Sequence, residues 1–403
     1  MRHVAIVGAG LAGFSVARRL RELDYTGAIT LFGDEGALPY DRPPLSKGSL
    51  KASVDASGAT LRPSEFFEEN QIALRPSEPV LRIDTTARTL QLRGEAFAFD
   101  ALVLATGATP RALPNAIIRG LHGVHGLRTL ADAQRISQAF GTAQHALIVG
   151  GGYIGLEVAA AAAERGLRVT LIEAGPRILG RVAGPPTADA IRAAHKRKGV
   201  DIREGVGLSA FVGTDQVKGA ILSDGAHVAA DCVIVGIGID PNVTLAKSAG
   251  LATENGILVD PTCQTSQPGI WAAGDCAAFP MADQITRLES VGNAIEMGEV
   301  VAANIMGQSR PYAPTAWFWS DQFDLKLQMV GLSPGYDRIV TRPGVNPDAI
   351  SHWYYAGERL LSVDIINEPK TYIIAKRLIE TGKSPPPAQI ADQSVNLKVL
   401  LKS

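Results

Sequence analysis

Two sets of glycines stand at spacings that can hold the pyrophosphate of a dinucleotide. Gly8-x-Gly10-x-x-Gly13 follows the β-branched run HVAIV, and Gly150-x-Gly152-x-x-Gly155 follows HALIV, each ahead of a stretch with helical periodicity. In such a set the first glycine permits a tight turn. The second lets the backbone approach the phosphates, and the third lets the helix pack close to the strand. The start of the helix then offers N–H groups to the anion.

Each set leads to a second strand that ends in acid. AITLFGDE ends at Asp34 and Glu35, about where a carboxylate meets a ribose 2′-hydroxyl; both stand one or two positions late and are held equally. RVTLIE ends at Glu173, 18 residues past Gly155. A carboxylate there accepts hydrogen bonds from a free ribose and repels a 2′-phosphate, so the second site favours NADH over NADPH. Arg177 and Arg181 stand close by and soften that preference.

Further residues separate the two sites by role. The strand DALVL runs into the turn Ala105-Thr106-Gly107, which brings the chain back toward the first glycines. GIWAAGDC ends a strand at Gly274-Asp275, where a carboxylate can be aimed at the ribityl hydroxyls of a flavin. Two sites could serve two mobile cofactors, or one tightly held flavin dinucleotide and one exchanging nicotinamide, and these motifs favour the second. Because Asp275 lies beyond the second glycine set, a flavin domain interrupted by a nicotinamide domain is predicted. The three cysteines, Cys232, Cys263 and Cys276, form no CxxC pair and no zinc spacing, so neither a dithiol nor a metal site is expected.

The elements that must position these residues read as an α/β chain. At 403 residues it is too long for one core and suits two or three domains. The predicted division is 1–111 with 239–313 for FAD, 112–238 for NAD, and 314–403 as a C-terminal α/β domain. In the last, LKLQMVGL, HWYYAGERLLSVDII and YIIAKRLIETG read as strand, hairpin and amphipathic helix. The formal net charge of −1 gives no global field to attract nucleic acid or an anionic membrane. The apolar run 146–163 approaches the length of a membrane span, but its three glycines and Glu157 fit a strand, phosphate turn and helix better. The first strand begins at His3, which leaves no room for a signal peptide and predicts a cytoplasmic protein.

Taken together, GAGLAG, PYDRPPLSK, LATGATPR, LRTLADA, GGGYIGLE, VGIG, AAGDC, LESVGNA and WFWSDQ resemble the ferredoxin reductases of bacterial Rieske-type oxygenases and haem-thiolate monooxygenases. The run RPPLSK also occurs in apoptosis-inducing-factor-like and rubredoxin-reductase-like flavoproteins. The resemblance implies a glutathione-reductase-like fold with two Rossmann-type domains, and tightly bound FAD. It implies that Arg42 and Lys47 touch the FAD, with Lys47 near the reactive N5 edge. Val80 would meet the adenine and Arg128 the diphosphate. Glu289, Val291 and Trp319 would border the isoalloxazine or the arriving nicotinamide. The implied NAD contacts are Ile154, Glu173, Arg181 and the turn from Gly236 to Gly238. Relatives often carry an aromatic where this chain has Val291.

The expected chemistry follows. Glu157, two residues past Gly155, could reach Lys47 across a domain interface, and an ammonium beside N5 would stabilise negative charge as the flavin is reduced. Lys47 and Glu157 are therefore the expected catalytic pair. YDRPPLSK holds no cysteine, so electrons would leave the flavin singly for an outside acceptor, a [2Fe–2S] ferredoxin serving a terminal oxygenase. A basic patch near the flavin edge would receive that acidic partner, with Arg310, Lys326, Arg338, Arg342, Lys376 and Arg377 as candidates. A monomer or weak dimer is expected. The competing readings are a rubredoxin reductase, an NADH oxidase or peroxidase, and an NADH-sensing flavoprotein that is not an enzyme.

Overall fold

The computed structural model describes residues 2–51, 56–118, 120–281 and 284–402. Two compact units are found. The first comprises Met1–Asp41, Ala56–Thr109 and Ile239–Pro314, and the second Arg42–Asp55, Pro110–Gly238 and Thr315–Ser403.

The first unit is built on a five-stranded sheet in the order Ile270–Ala272, Ala101–Leu104, His3–Val7, Ala28–Phe32, Ile72–Arg75. All four pairings are parallel. The central strands are runs of aliphatic residues because a parallel sheet is covered on both faces; Val4, Ala5, Ile6 and all of Ala101–Leu104 are fully buried. The edge strand Ile270–Ala272 arrives from the third chain segment and pairs with Ala101–Leu104. Helix Leu11–Glu22 lies against helix Val291–Ile305 at Gly298, where a Cβ would come within 2.8 Å of the Ala12 carbonyl oxygen. Arg18 joins Glu299 across the same pair at 2.9 Å.

The second unit repeats the plan. Its parallel sheet runs Asp201–Glu204, Arg168–Glu173, His145–Val149, Cys232–Val235, Val124–Gly126. The run 146–163 divides, as expected, between strand His145–Val149 and helix Tyr153–Glu164. Among the described residues no helix is long and apolar enough to cross a membrane.

The same unit carries an antiparallel sheet in the order Trp317–Gln322, Leu325–Gly331, Arg359–Ile366, Ile350–Ala356, Arg338–Pro343. Helix Pro369–Glu380 covers one face through Ile374, Ala375 and Leu378, which pack with Val330, Trp353, Tyr355 and Val363. WFWSDQ, one of the motifs of the resemblance, is a strand in this sheet. Alternation therefore governs which way its side chains point.

Where this sheet meets helix Pro185–Arg197, a carboxylate is buried with no salt-bridge partner among the described residues. Asp364 Oδ2 accepts hydrogen bonds from Tyr354 Oη at 2.6 Å and Thr187 Oγ1 at 2.7 Å. The Gly184 N–H donates to the Tyr354 hydroxyl at 3.1 Å, and a Cβ at Gly184 would strike that ring. Burial outweighs these donors and raises Asp364 from its ordinary 3.8 to about 6. The folded state thus binds a proton more tightly than the unfolded chain, so this group's contribution falls as pH rises from about 4 to about 6. Asp364→Asn should remove a slope of about 3 kcal/mol over that window, measured by denaturant unfolding at a series of pH values. An unaltered pH profile would refute the assignment.

Candidate functional site

The first glycine turn leaves strand His3–Val7 and enters helix Leu11–Glu22. Each glycine meets a different constraint. Gly8 has φ of 114° and a Cβ there would lie 2.1 Å from the Ala105 carbonyl oxygen. Gly13 packs on the Gly8 carbonyl, which a Cβ would reach at 2.0 Å. Gly10, by contrast, faces open space, with nothing within 4 Å of its Cβ position. The helix it caps has no side-chain cap and no acid in its first turn, so its N–H groups point outward unclaimed by either.

The second turn reproduces this arrangement. Gly150 has φ of 110° with the Gly236 carbonyl oxygen 2.3 Å from its Cβ position, Gly155 packs on Gly150 at 2.0 Å, and Gly152 faces open space. Gly236 thus stands to Gly150 as Ala105 stands to Gly8, and Gly107 and Gly238 both take positive φ two residues later. The turns ATG and GIG are equivalent parts of two repeats.

The repeats differ in the acid at the end of the second strand. Gly150 N–H donates to Ile172 O and Gly8 N–H to Phe32 O, both at 2.8 Å, so the residue matching Glu173 is Gly33. Glu173 sits at its strand end and accepts from the N–H groups of Gly151 and Gly175, both at 2.7 Å. In the first repeat the acids follow one and two residues later. Asp34 is exposed, and Glu35 accepts a hydrogen bond from the Tyr40 hydroxyl.

The remaining first-unit candidates sit around the carboxyl ends of the sheet strands. Thr106 and Gly107 are clamped by Asn242, which Thr106 Oγ1 meets through the Asn242 carbonyl at 2.7 Å, while Asn242 Nδ2 donates to Thr106 O at 2.9 Å. Asp275 follows strand Ile270–Ala272, and its carbonyl accepts from Arg287 at 3.0 Å. Arg287 also pairs with Glu289 at 2.7 Å. Val291 opens helix Val291–Ile305 behind its cap Ser290, and Val80 is buried.

In the second unit Arg42 donates to the Arg128 carbonyl at 2.7 Å. Arg128 precedes the capping box Thr129–Asp132 of helix Leu130–Thr142. Ile154 and Arg181 are exposed. Trp319 stacks on Trp317, ring centroids 5.5 Å apart, and Lys376 lies over Trp317 at 5.4 Å.

The bond expected between Lys47 and Glu157 is formed, within the second unit. Lys47 leaves the turn Pro43–Ser46, whose two prolines fix the backbone ahead of it, and its Nζ lies 3.0 Å from Glu157 Oε1. The ammonium is also 5.9 Å from the Trp319 ring centroid. Glu157 is 3% exposed on helix Tyr153–Glu164. Its Oε1 also accepts from Ser320 Oγ at 2.6 Å and its Oε2 from Ser46 Oγ. At an effective dielectric near 20 the ion pair is worth roughly 5 kcal/mol before desolvation is counted. Two hydroxyl donors then fill carboxylate lone pairs that burial would otherwise leave empty.

Four of these partners escaped the sequence reading. Ser46 and Ser320 stood inside quoted motifs, but only their neighbours Lys47 and Trp319 were singled out; Asn242 and Arg287 carried no motif signal. Of the candidate basic residues, Arg342 donates to the carbonyls of Ile390, Asp392, Gln393 and Val395. The three cysteines are buried free thiols. Burial raises all three, Cys232 to about 12, so they are held neutral.

Comparison with known proteins agrees with this layout. Residues 2–298 match the family described as pyridine nucleotide-disulphide oxidoreductase, and residues 317–401 match the reductase C-terminal family. Putidaredoxin reductase of Pseudomonas putida is 40% identical over 407 residues, covering 99% of this chain and 96% of that protein. A ferredoxin reductase from Rhodopseudomonas palustris has a TM-score of 0.96 at 40% identity, with 99% of each chain covered. The covalent putidaredoxin reductase–putidaredoxin complex gives 0.95 at 39%, covering 100% of this chain and 98% of that one.

Removing one partner of the buried pair strands the other. Lys47→Met should cost about 3–5 kcal/mol of stability, read from the urea midpoint, and adding Glu157→Leu should recover much of it. A single variant as stable as the parent would show that the pair forms no part of the stability of this unit.

Proposed function

The chain belongs to the pyridine nucleotide-disulphide oxidoreductase family, and on that footing we propose that it is an FAD-dependent NADH:ferredoxin oxidoreductase. It takes hydride from NADH onto FAD and passes single electrons to a [2Fe–2S] ferredoxin that serves a terminal oxygenase. It acts in the cytoplasm. Support comes from the likeness over nearly the whole chain to a ferredoxin reductase and to putidaredoxin reductase, the latter seen joined covalently to putidaredoxin. The observation that carries the reading is the fate of the cysteines. All three are buried and held neutral, so no dithiol accepts the electrons inside this chain.

The residues of the first glycine turn fit FAD. Gly10 opens a space that a Cβ would enter, and outward N–H groups meet the pyrophosphate there. Asp34 or Glu35 receives the ribose, Asp275 the ribityl chain, and Val80 the adenine. Thr106 and Gly107 line the turn beside Gly8, with Arg42, Arg128, Lys47, Val291 and Trp319 completing the cofactor contacts. Residues 1–111 with 239–313 form this FAD domain, 112–238 the NAD domain and 314–403 the C-terminal domain. FAD, when bound, accepts a hydride and releases its electrons one at a time.

The second turn receives NADH. Gly150, Gly152 and Gly155 hold the pyrophosphate; Glu173 holds the free ribose, with Ile154, Arg181, Gly236, Gly238 and Glu289 as further contacts. Lys47 keeps a positive charge at the flavin edge, held by Glu157. Arg287 ties the Asp275 turn to Glu289.

The reading is tested by NADH-driven reduction of cytochrome c with and without a [2Fe–2S] ferredoxin. Strong stimulation by ferredoxin is expected. Fast flavin reduction with oxygen uptake and no stimulation would instead favour an oxidase. Replacing Glu173 by Ala should lower kcat/KM for NADH by about tenfold while raising that for NADPH, since the hydrogen bonds to the free ribose and the repulsion of a 2′-phosphate are lost together. Equal losses with both nucleotides would remove Glu173 from the specificity role.

A further inference from the structure

Behind Glu157 a line of polar side chains runs through an otherwise apolar interior. Ser320 Oγ is 2.6 Å from Glu157 Oε1, Gln322 Nε2 is 2.9 Å from Ser320 Oγ, and His195 Nε2 is 2.8 Å from Gln322 Oε1. Ser320 and His195 are fully buried, and Gln322 is 1% exposed. Ser320 and Gln322 are two apart on strand Trp317–Gln322 and so share a face, while His195 comes from helix Pro185–Arg197. Polar groups this deep are costly unless each hydrogen has a partner, so their presence calls for an account.

Each link fixes the next. An ionised carboxylate only accepts, so the Ser320 O–H donates to Glu157. The Ser320 lone pair must then accept from an amide N–H, which turns Gln322 Nε2 toward it and leaves Oε1 facing the imidazole. His195 therefore donates through Nε2. Its Nδ1 is buried with no hydrogen-bond partner among the described residues, a position that suits a bare lone pair better than an orphaned N–H. Burial lowers His195 to about 4, so the ring is neutral and carries one proton. Phe323, in left-handed backbone at φ 55°, closes the far end by packing edge-on to the ring at 5.0 Å.

We infer that His195, Gln322 and Ser320 form a one-way chain of hydrogen bonds ending on Glu157, and that they are positioning residues holding its carboxylate toward Lys47 during flavin reduction. Each donor in the chain faces toward Glu157, and the last of them, the Ser320 hydroxyl, reaches its Oε1, which stabilises the charged form that the Lys47 ammonium requires. Its link to flavin reduction rests on the role proposed above for Lys47; its direction rests on geometry alone.

Two measurements on the FAD-loaded protein test this. Nitrogen NMR of histidine-labelled protein should show His195 protonated at Nε2 and bare at Nδ1. The opposite tautomer overturns the chain's direction. Ser320→Ala should slow flavin bleaching by NADH about tenfold in stopped flow and move the flavin midpoint potential to more negative values, with Ser320→Thr restoring both. Gln322→Glu, which draws the serine proton away from Glu157, should act in the same direction as Ser320→Ala. Unchanged rate and potential in both variants would overturn the positioning role. If NADH fails to bleach the parent protein, the proposed function falls, and the tautomer still decides the chain.

Discussion

A carboxylate buried to 3% exposure must be answered by donors, and at Glu157 three segments of sequence meet. Lys47 and Ser46 come from the turn after Pro43–Pro44, Ser320 from the first strand of the C-terminal sheet, and the carboxylate itself from the helix that opens at the second glycine turn. Charge-assisted hydrogen bonds of this kind are worth roughly 1.5–3 kcal/mol each, and leaving one unmade costs a similar amount. The interaction therefore couples the position of the ammonium to the packing of strand Trp317–Gln322 against helix Tyr153–Glu164. Trp319 and Ser320, adjacent on that strand, point to opposite faces. The same strand thus presents an aromatic to Lys47 and a hydroxyl to Glu157.

The two parallel sheets are built alike but not equipped alike. In both, a glycine of positive φ is pressed against a backbone carbonyl, a third glycine packs on the first, and the middle one faces open space. The difference is the acid at the end of the second strand. Glu173 occupies the strand end, held by two backbone N–H groups, whereas the matching position in the first repeat is Gly33. A preformed carboxylate suits a cofactor that comes and goes, since the protein bears the ordering cost before the ligand arrives.

The backbone pattern was legible because strand and helix periodicities and glycine turns are local signals. RVTLIE read as a strand and is one to the residue, Arg168–Glu173. The Lys47–Glu157 bond was reachable from sequence only through the resemblance, which supplied a role for Lys47; the glycine set put Glu157 on a first helical turn. Ser320, Gln322 and His195 were not found. Their importance comes from a shared strand face and from packing between segments more than a hundred residues apart, and neither leaves a periodic trace. Arg342 is a further case, an arginine singled out for its charge whose four carbonyl partners carried no signal in the sequence.

By itself, then, the sequence determined the two dinucleotide turns, the acid at Glu173 and the lack of a cysteine pair, because each depends on residues close in the chain or on composition. Only the tertiary structure decided which hydroxyls face Glu157, which amide meets His195 and which asparagine clamps the ATG turn. Hydrogen bonds act over about 3 Å between groups of fixed direction, and that proximity is set by packing, not by spacing along the chain.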